Sequence, residues 1–141
     1  MKLDTFFLAG HLILEPPPGF MSISYKIDTE RKTIFISLEG ELNDEQIRVH
    51  HDAMRSDPAF SASFCRLVDC SGSTGGEVST SAIQRAALRV KGDVGRKTAI
   101  FAPQDMSFGM SKMFEAMTSD SEGETKVFRD LTEARQWLGI E

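Results

Sequence analysis

The residues whose types could do chemistry are concentrated between positions 67 and 90, in the stretch LVDCSGSTGGEVSTSAIQRAALRV. An apolar run ends at Asp69 and Cys70, gives way to Ser, Gly and Thr, and resumes as a helical pattern. In α/β proteins, such strand-to-helix connections are where phosphate-binding loops and nucleophiles occur. Each of these chemistries requires its own motif.

None of those motifs is present. A Walker loop needs Gly-x4-Gly-Lys-Ser/Thr, because backbone amides surround the phosphates and the Lys neutralises them, and positions 71 to 81 contain no Lys. The GxSxG elbow of serine hydrolases is missing. A cysteine phosphatase needs an Arg six residues after its nucleophile, and from Cys70 that position is Gly76. The sequence therefore predicts no catalytic residue, no cofactor and no enzymatic activity.

Two adjacent histidines, His50 and His51, come closest to a metal-ligand pair. Consecutive helical residues point about 100° apart, so the two rings cannot readily ligate one ion. Asp52 and Asp57 add no metal-ligand spacing. His50 shares a helix face with apolar residues, which predicts a ring packed at the edge of the core and no metal site.

Composition narrows the class of protein. The 141 residues predict one domain, and 40% hydrophobic with 26% charged residues is typical of an ordinary globule. The net charge of -5 argues against a nucleic-acid partner, which would select for Lys and Arg. No apolar run approaches the roughly 20 residues of a transmembrane segment. Cys65 and Cys70 are too far apart in a strand to form a disulfide, which favours a cytoplasmic protein.

Residues 1–20 differ from the rest of the chain, and we interpret them as an N-terminal extension before a domain at 21–141. The run FFLAGHLIL imitates a signal peptide, but His11 interrupts it and no cleavage site follows. Three alternatives stay open: a loose or overcalled extension, an ordered arm packed on the domain or on a dimer mate, and an export signal.

The hydrophobic pattern predicts an α/β fold with a mixed, largely parallel sheet of about five strands and about four helices, opening with a β-hairpin. The hairpin is predicted because two alternating segments are joined by a short turn. Capping boxes are predicted at Asn43, Ser81 and Asp130. We expect strands at 23–28, 34–40, 65–69, 97–103 and 125–129, and helices at 42–54, 81–90, 105–117 and 130–138.

A local basic patch follows the 71–81 segment. Arg85 and Arg89 lie four apart on the next helix, opposite its apolar stripe, with Lys91, Arg96 and Lys97 beyond. This pattern fits a solvated helix face, and it also fits a docking site for an anionic partner or a phosphate.

Four methionines form one stripe on a later helix: Met106, Met110, Met113 and Met117. Their spacing of i, i+4, i+7 and i+11 is typical of a core-facing stripe. Met side chains also adapt to varied shapes. The stripe is therefore either plain core or a surface for an apolar ligand or a partner.

Three segments carry a resemblance to a known family: LVDCSG, IFAPQDMSFGMSKMFEAM and KVFRDLTEARQWLG. They resemble the bacterial STAS-like, SpoIIAA-like proteins, most of which have no known function. The resemblance covers residues 22–139. It implies an anti-sigma-factor antagonist-like fold, related to the CRAL-TRIO lipid-binding fold, with helices packed mainly on one side of a mixed sheet.

In the antagonists of this superfamily, a kinase phosphorylates a Ser at the start of a helix. Aligned without gaps, the corresponding positions here are Val78, Ser79, Thr80 and Ser81, of which only Ser79 is retained by identity. The resemblance thus implies a phosphorylation switch at Ser79, Thr80 or Ser81. The residues themselves predict simple N-capping in a helix-start turn.

Two functions remain. The first is a small, non-enzymatic STAS-like module that binds an unknown protein partner, as an interaction or regulatory domain. The second is a carrier of a small apolar or lipid-like ligand, in a CRAL-TRIO-like manner. An open apolar cavity favours the carrier and a closed core disfavours it. The exposed edge of the hairpin also favours a homodimer.

Overall fold

The structure, a computed structural model, describes residues 5–8, 11–14 and 22–140, and the side chains of 23–74 and 78–140. A small two-stranded antiparallel sheet precedes a five-stranded sheet with four helices. The strands are β1 (Thr5–Leu8), β2 (His11–Leu14), β3 (Ser22–Asp28), β4 (Thr33–Asn43), β5 (Cys65–Glu77), β6 (Lys97–Phe101) and β7 (Glu124–Phe128). The helices are α1 (Asp44–Arg55), α2 (Thr80–Arg89), α3 (Asp105–Met117) and α4 (Leu131–Leu138).

The larger sheet has the strand order β3-β4-β5-β6-β7. β3 and β4 form the predicted antiparallel hairpin, and β4 to β7 run parallel. Three successive right-handed crossovers that advance in one direction place their helices on the same face. Accordingly α1, α2 and α3 lie on one face of the sheet, and α4 lies on the other. The predicted mixed, largely parallel α/β fold is confirmed.

The two faces of the sheet are packed differently. Under α4, Leu67 and Ala99 join Phe128, Ala134 and Leu138 in one buried cluster. On the opposite face the buried apolar residues split into two separate clusters, one around Ile34 and Met54 and one around Ile100 and Val127. Helices α1 to α3 therefore enclose space between these clusters.

β5 extends much farther than the sequence predicts. Its 13 residues run from Cys65 to Glu77, and the pairing with β4 continues to the partners Asn43 and Glu77, with two register shifts at which β5 has one residue more than β4. Gly72 permits this approach, since a Cβ there would lie 3.1 Å from the carbonyl oxygen of Leu38. The prediction of a loop at 71 to 81 is therefore wrong, because most of this segment is strand. Only Val78 and Ser79 connect β5 to α2.

Helix starts follow the predicted capping in two of three cases. Asn43 and Gln46 form the reciprocal box that begins α1, and Asp130 accepts from the Glu133 amide at the start of α4. The prediction of a capping box at Ser81 is wrong. Ser79 caps α2 instead, because its side chain accepts a hydrogen bond from the Ala82 amide.

The N-terminal sequence is described only in part. β1 and β2 pair as an antiparallel hairpin. The rest of residues 1–20 lies outside the described residues, and the three interpretations of this extension stay predictions. β3 is an edge strand of the larger sheet, and dimerisation through this edge stays a prediction. None of the helices in the described ranges is long and apolar enough to cross a bilayer.

Candidate functional site

A cavity of about 340 Å³ lies between the five-stranded sheet and helices α1, α2 and α3. Its sheet side is formed by residues such as Ile36, Val68 and Ile100, and its helix side includes Ile83 and Phe114. The volume is within the range of small-molecule sites in proteins, roughly 300–1,000 Å³. The lining is mostly apolar, so an apolar molecule placed there would be removed from water.

Small side chains on two helices leave this space open. Ala86 of α2 faces the cavity, and so do Ser107 and Ser111 of α3. Protein interiors are normally packed to crystal-like density. Short side chains at three facing positions leave a gap that the larger neighbours do not fill.

The cavity has an open end and a closed end. Thr74, Gln104 and Met106 line the cavity near the carboxyl ends of the strands, where all three are exposed. Arg66 and Thr98, near the strand starts, are 3% and 4% exposed. Arg66 and Thr74 are eight positions apart on β5, which corresponds to roughly 25 Å of extended chain. The site is thus long, with a solvent-facing mouth and a buried floor.

The floor carries buried charge. Asp93, in the α2–β6 connection, accepts two hydrogen bonds of 2.9 Å from Arg55 and one of 2.9 Å from Arg66. Both guanidinium groups also lie over the Phe60 ring, at 5.0 and 5.3 Å. Burial lowers the pKa of Arg66 to about 10, against the opposing effect of Asp93. Although burial alone would raise it, hydrogen bonds and charge from the two arginines lower the pKa of Asp93.

Positive charge exceeds negative charge at this end. Arg96 is 1% exposed and donates to the hydroxyls of Thr98 and Thr125 and to other neutral oxygens. With Arg55 and Arg66 it makes three guanidinium groups around the single carboxylate of Asp93.

Both histidines of α1 line the cavity. Their ring centroids are 5.4 Å apart, and His50 also makes an edge contact with the Tyr25 ring. Burial, aided by the charge of Arg66, lowers the pKa of His50 to about 4. Burial, His50 and Arg89 lower the pKa of His51 to about 3. Both imidazoles are therefore neutral at pH 7.

Two polar atoms of residues that line the cavity have no hydrogen-bond partner among the described residues: Nδ1 of His50 and Nε of Arg66. Both residues line the cavity and are more than nine-tenths buried. Buried polar atoms are nearly always paired, so each such exception calls for an explanation.

The predicted methionine stripe divides between the cavity and the surface. Met106 and Met110 line the cavity, whereas Met113 and Met117 do not. The stripe is not plain core, since Met106 is 62% exposed. The face of α3 toward the cavity is rotated and includes Ser107, Ser111 and Phe114. The apolar spacing could not indicate this face, because two of its members are serines.

The basic patch contains fewer residues than the sequence predicts. Arg85 is exposed and Arg89 is partly buried, with Nη1 3.5 Å from Nδ1 of His51. Arg96 was expected on the surface, but it is one of the most buried side chains described. Lys97 places its ammonium 4.5 Å from the centre of the Trp137 ring, on the α4 side. Neither Arg96 nor Lys97 therefore extends the patch.

The predicted switch residues begin α2. The Ser79 hydroxyl donates to Oδ2 of Asp44 at 2.7 Å and accepts from the Ala82 amide at 3.0 Å. The Ser79 hydroxyl, together with the Ser79 backbone amide that donates to Oδ1 of Asp44 at 2.8 Å, lowers the pKa of Asp44. A phosphate on Ser79 would be tolerated by the helix N-terminus, but it would replace the hydroxyl hydrogen that Asp44 accepts and would repel the Asp44 carboxylate. Thr80 and Ser81 are exposed in the first turn of the helix, and phosphorylation at all three positions stays a prediction.

The two cysteines lie on opposite faces of the sheet, as their odd spacing predicts. Cys65 packs against the α4 cluster, and Cys70 lines the cavity. Burial raises the pKa of the Cys70 thiol to about 12, so the thiol is protonated at neutral pH. Among the described residues, no group of three or more His, Cys, Asp or Glu side chains is arranged to hold a metal ion.

Sequence reasoning missed the floor of the cavity. One signal was available, because an Arg inside the otherwise apolar segment CRLV requires a buried partner. The partner, Asp93, is 27 positions away in a turn-rich segment, and nothing in the local pattern connects the two.

Comparison with solved structures identifies the architecture. The structure is similar to that of an uncharacterised protein of the DUF3478 family with a SpoIIAA-like fold, from Shewanella loihica PV-4. The TM-score is 0.59 at 16% sequence identity, over 88% of this chain and 98% of that chain. No protein-family model and no curated protein sequence matches the chain. The fold that the sequence resemblance implied is confirmed: this chain has a SpoIIAA-like fold.

Proposed function

We propose that this protein is a non-catalytic, cytoplasmic module that binds a small apolar molecule between its sheet and helices α1 to α3. The observation that carries the proposal is the cavity itself, which has about 340 Å³ of space and a mouth open to solvent. Removing apolar surface from water contributes about 25 cal/mol per Å². A long apolar site can therefore bind an unbranched chain without any dedicated polar contact.

The mouth suits a site that must admit ligands of varied length. Met106 is exposed there and Met110 lies one turn farther in. Unbranched, polarizable Met side chains adapt to different shapes at little energetic cost. The methionine stripe thus supports the carrier function with two of its four members.

Binding of an uncharged fluorescent probe, N-phenyl-1-naphthylamine, tests the proposal. We expect saturable fluorescence enhancement and displacement of the probe by dodecan-1-ol. The Ala86→Phe variant places a ring in the cavity and should lose binding. Leu88→Phe adds the same ring on the same helix, at a side chain that is 63% exposed, and should bind as the unchanged protein does. Equal binding by both variants would refute the assignment of the cavity.

Protein binding is the second candidate function. It is supported by the outer face of α1 and α2, where Val49 and Leu88 are exposed large apolar residues and Arg85 adds a charge. Alanine at Arg85 and Arg89 should weaken capture of a partner from the host. An undiminished pull-down would remove this surface from consideration.

A further inference from the structure

The floor of the cavity holds polar atoms that have no hydrogen-bond partner among the described residues. Within the described part of the chain, Nε of Arg66 carries a hydrogen with no acceptor, and Nδ1 of His50, which donates when the neutral ring carries its hydrogen there, has no partner. Thr98 accepts a hydrogen bond from Arg96, which leaves its own hydroxyl hydrogen free to donate.

These groups are brought together by the sheet register and by α1. Arg66 and Thr98 are directly paired positions on β5 and β6, and both line the cavity. His50 is placed above them by α1, and the charge of Arg66 is strong enough there to affect its titration. The three side chains thus lie together at the buried end of the apolar cavity.

The electrostatics of this end favour a negative charge. Asp93 is the carboxylate that contacts Arg66, and it is shared with Arg55. Arg96, which is 1% exposed, adds a third cation whose hydrogen-bond acceptors are neutral. Asp57, which follows α1, accepts a hydrogen bond of 3.0 Å from the Tyr25 hydroxyl. Hydrogen bonds to an ionised group in such a site are about twice as strong as neutral ones.

From this arrangement we infer that the ligand is an unbranched amphiphile with a carboxylate head, held head-down at Arg66, Thr98 and His50. Its alkyl chain extends along β5 toward Met106 at the mouth. The inference rests on the proposed function, since it names the class of ligand for the same cavity. The carboxylate supplies the acceptors that the two unpaired floor atoms lack.

Calorimetric titration of the full chain with dodecanoate and with dodecan-1-ol, both below their aggregation limits, tests the inference. The two probes share a chain length and differ in the head group. Charge-assisted hydrogen bonds contribute about 1.5–3 kcal/mol, so dodecanoate should bind tenfold to a hundredfold more tightly. Equal or tighter binding of dodecan-1-ol would overturn the carboxylate head and leave the proposed function intact. Failure of both probes to bind would overturn both.

Two arginine variants then locate the head group. Arg66→Met should weaken dodecanoate at least tenfold and change dodecan-1-ol binding less than threefold, a difference that misfolding cannot produce. The control is Arg85→Met, which removes an exposed charge from α2 and should change neither. Loss of dodecanoate binding in Arg85→Met alone would overturn the head-down placement. Should Arg66→Met fail to fold, the comparison of the two probes on the unchanged protein still decides the head group. Tighter binding of dodecyl phosphate than of dodecanoate would replace the carboxylate by a phosphate head.

Discussion

Substitutions at two neighbouring alanines of α2 test whether the cavity has room for an added side chain. Ala86 lines the cavity, whereas Ala87 is buried at 5% exposure and does not line it. Ala86→Phe and Ala87→Phe introduce the same ring into the same helix, so the change in helix propensity cancels. Their difference in stability reports only the room available at each position.

The expected magnitudes follow from burial. A Phe that enters the 340 Å³ cavity should be neutral or should stabilise by up to about 2 kcal/mol, since a fully buried Phe contributes about 1.5–3 kcal/mol. A Phe forced into packed surroundings at Ala87 should cost about 1–3 kcal/mol. The free energies of unfolding of the two variants should therefore differ by roughly 1–5 kcal/mol.

Urea denaturation at pH 7 measures this difference, provided that both variants unfold with the same m-value. For a chain of this size, a difference of 2 kcal/mol also separates the melting temperatures by about 8 °C. If Ala86→Phe is destabilised as much as Ala87→Phe, the space between sheet and helices is closed in solution. That result would refute the reasoning from the cavity.

Three further predictions concern stability. Asp93→Asn leaves two guanidinium groups without their carboxylate and should lower the free energy of unfolding, measured by urea denaturation, by about 3–5 kcal/mol. The control is Asp52→Asn, which breaks an exposed ion pair of the same 2.9 Å length and should cost less than about 1 kcal/mol. Equal costs for the two variants would contradict a buried floor. The pKa of His50 is about 4 in the folded protein and 6.5 for an ordinary histidine. Between these two pH values the unfolded chain binds a proton at His50 and the folded chain does not. Stability should therefore fall as the pH drops from 6.5 toward 4, by about 3 kcal/mol in total. His50→Leu should remove that part of the pH dependence, and an unchanged slope would contradict the burial of the ring. Gly123→Ala would place a Cβ 2.6 Å from the Arg96 carbonyl oxygen and should cost about 1–3 kcal/mol, while Gly92→Ala, with nothing within 4 Å, should be nearly neutral.

The sequence predicted the architecture because local signals and topology rules agree in this chain. Alternation over 23–40 indicated the hairpin, and the Asn43 capping box marked the start of α1 correctly. Right-handed crossovers then determine the face on which each helix lies. These features depend on residues that are close together in the chain, and they can therefore be predicted from the sequence.

The site was harder to predict from the sequence because it depends on pairs of residues that are far apart in the chain. The Ser- and Gly-rich segment after Cys70 has the composition of a loop, yet its pairing with β4 makes it strand. Arg96 follows a turn and resembles a surface residue, but threonines of β6 and β7 supply its hydrogen-bond acceptors. Cavity space likewise depends on which small residues face each other across elements, as Ala86 and Ser111 do.

The measurement that tests the central claim most directly is a titration of ¹⁵N-labelled protein with dodecanoate, followed by amide chemical shifts. The account predicts saturable shifts at cavity-lining positions, with the largest at the floor near Arg66 and Thr98, and little change in α4. Shifts confined to α4 or to the outer face of α2, or none up to the solubility limit of the probe, would contradict it.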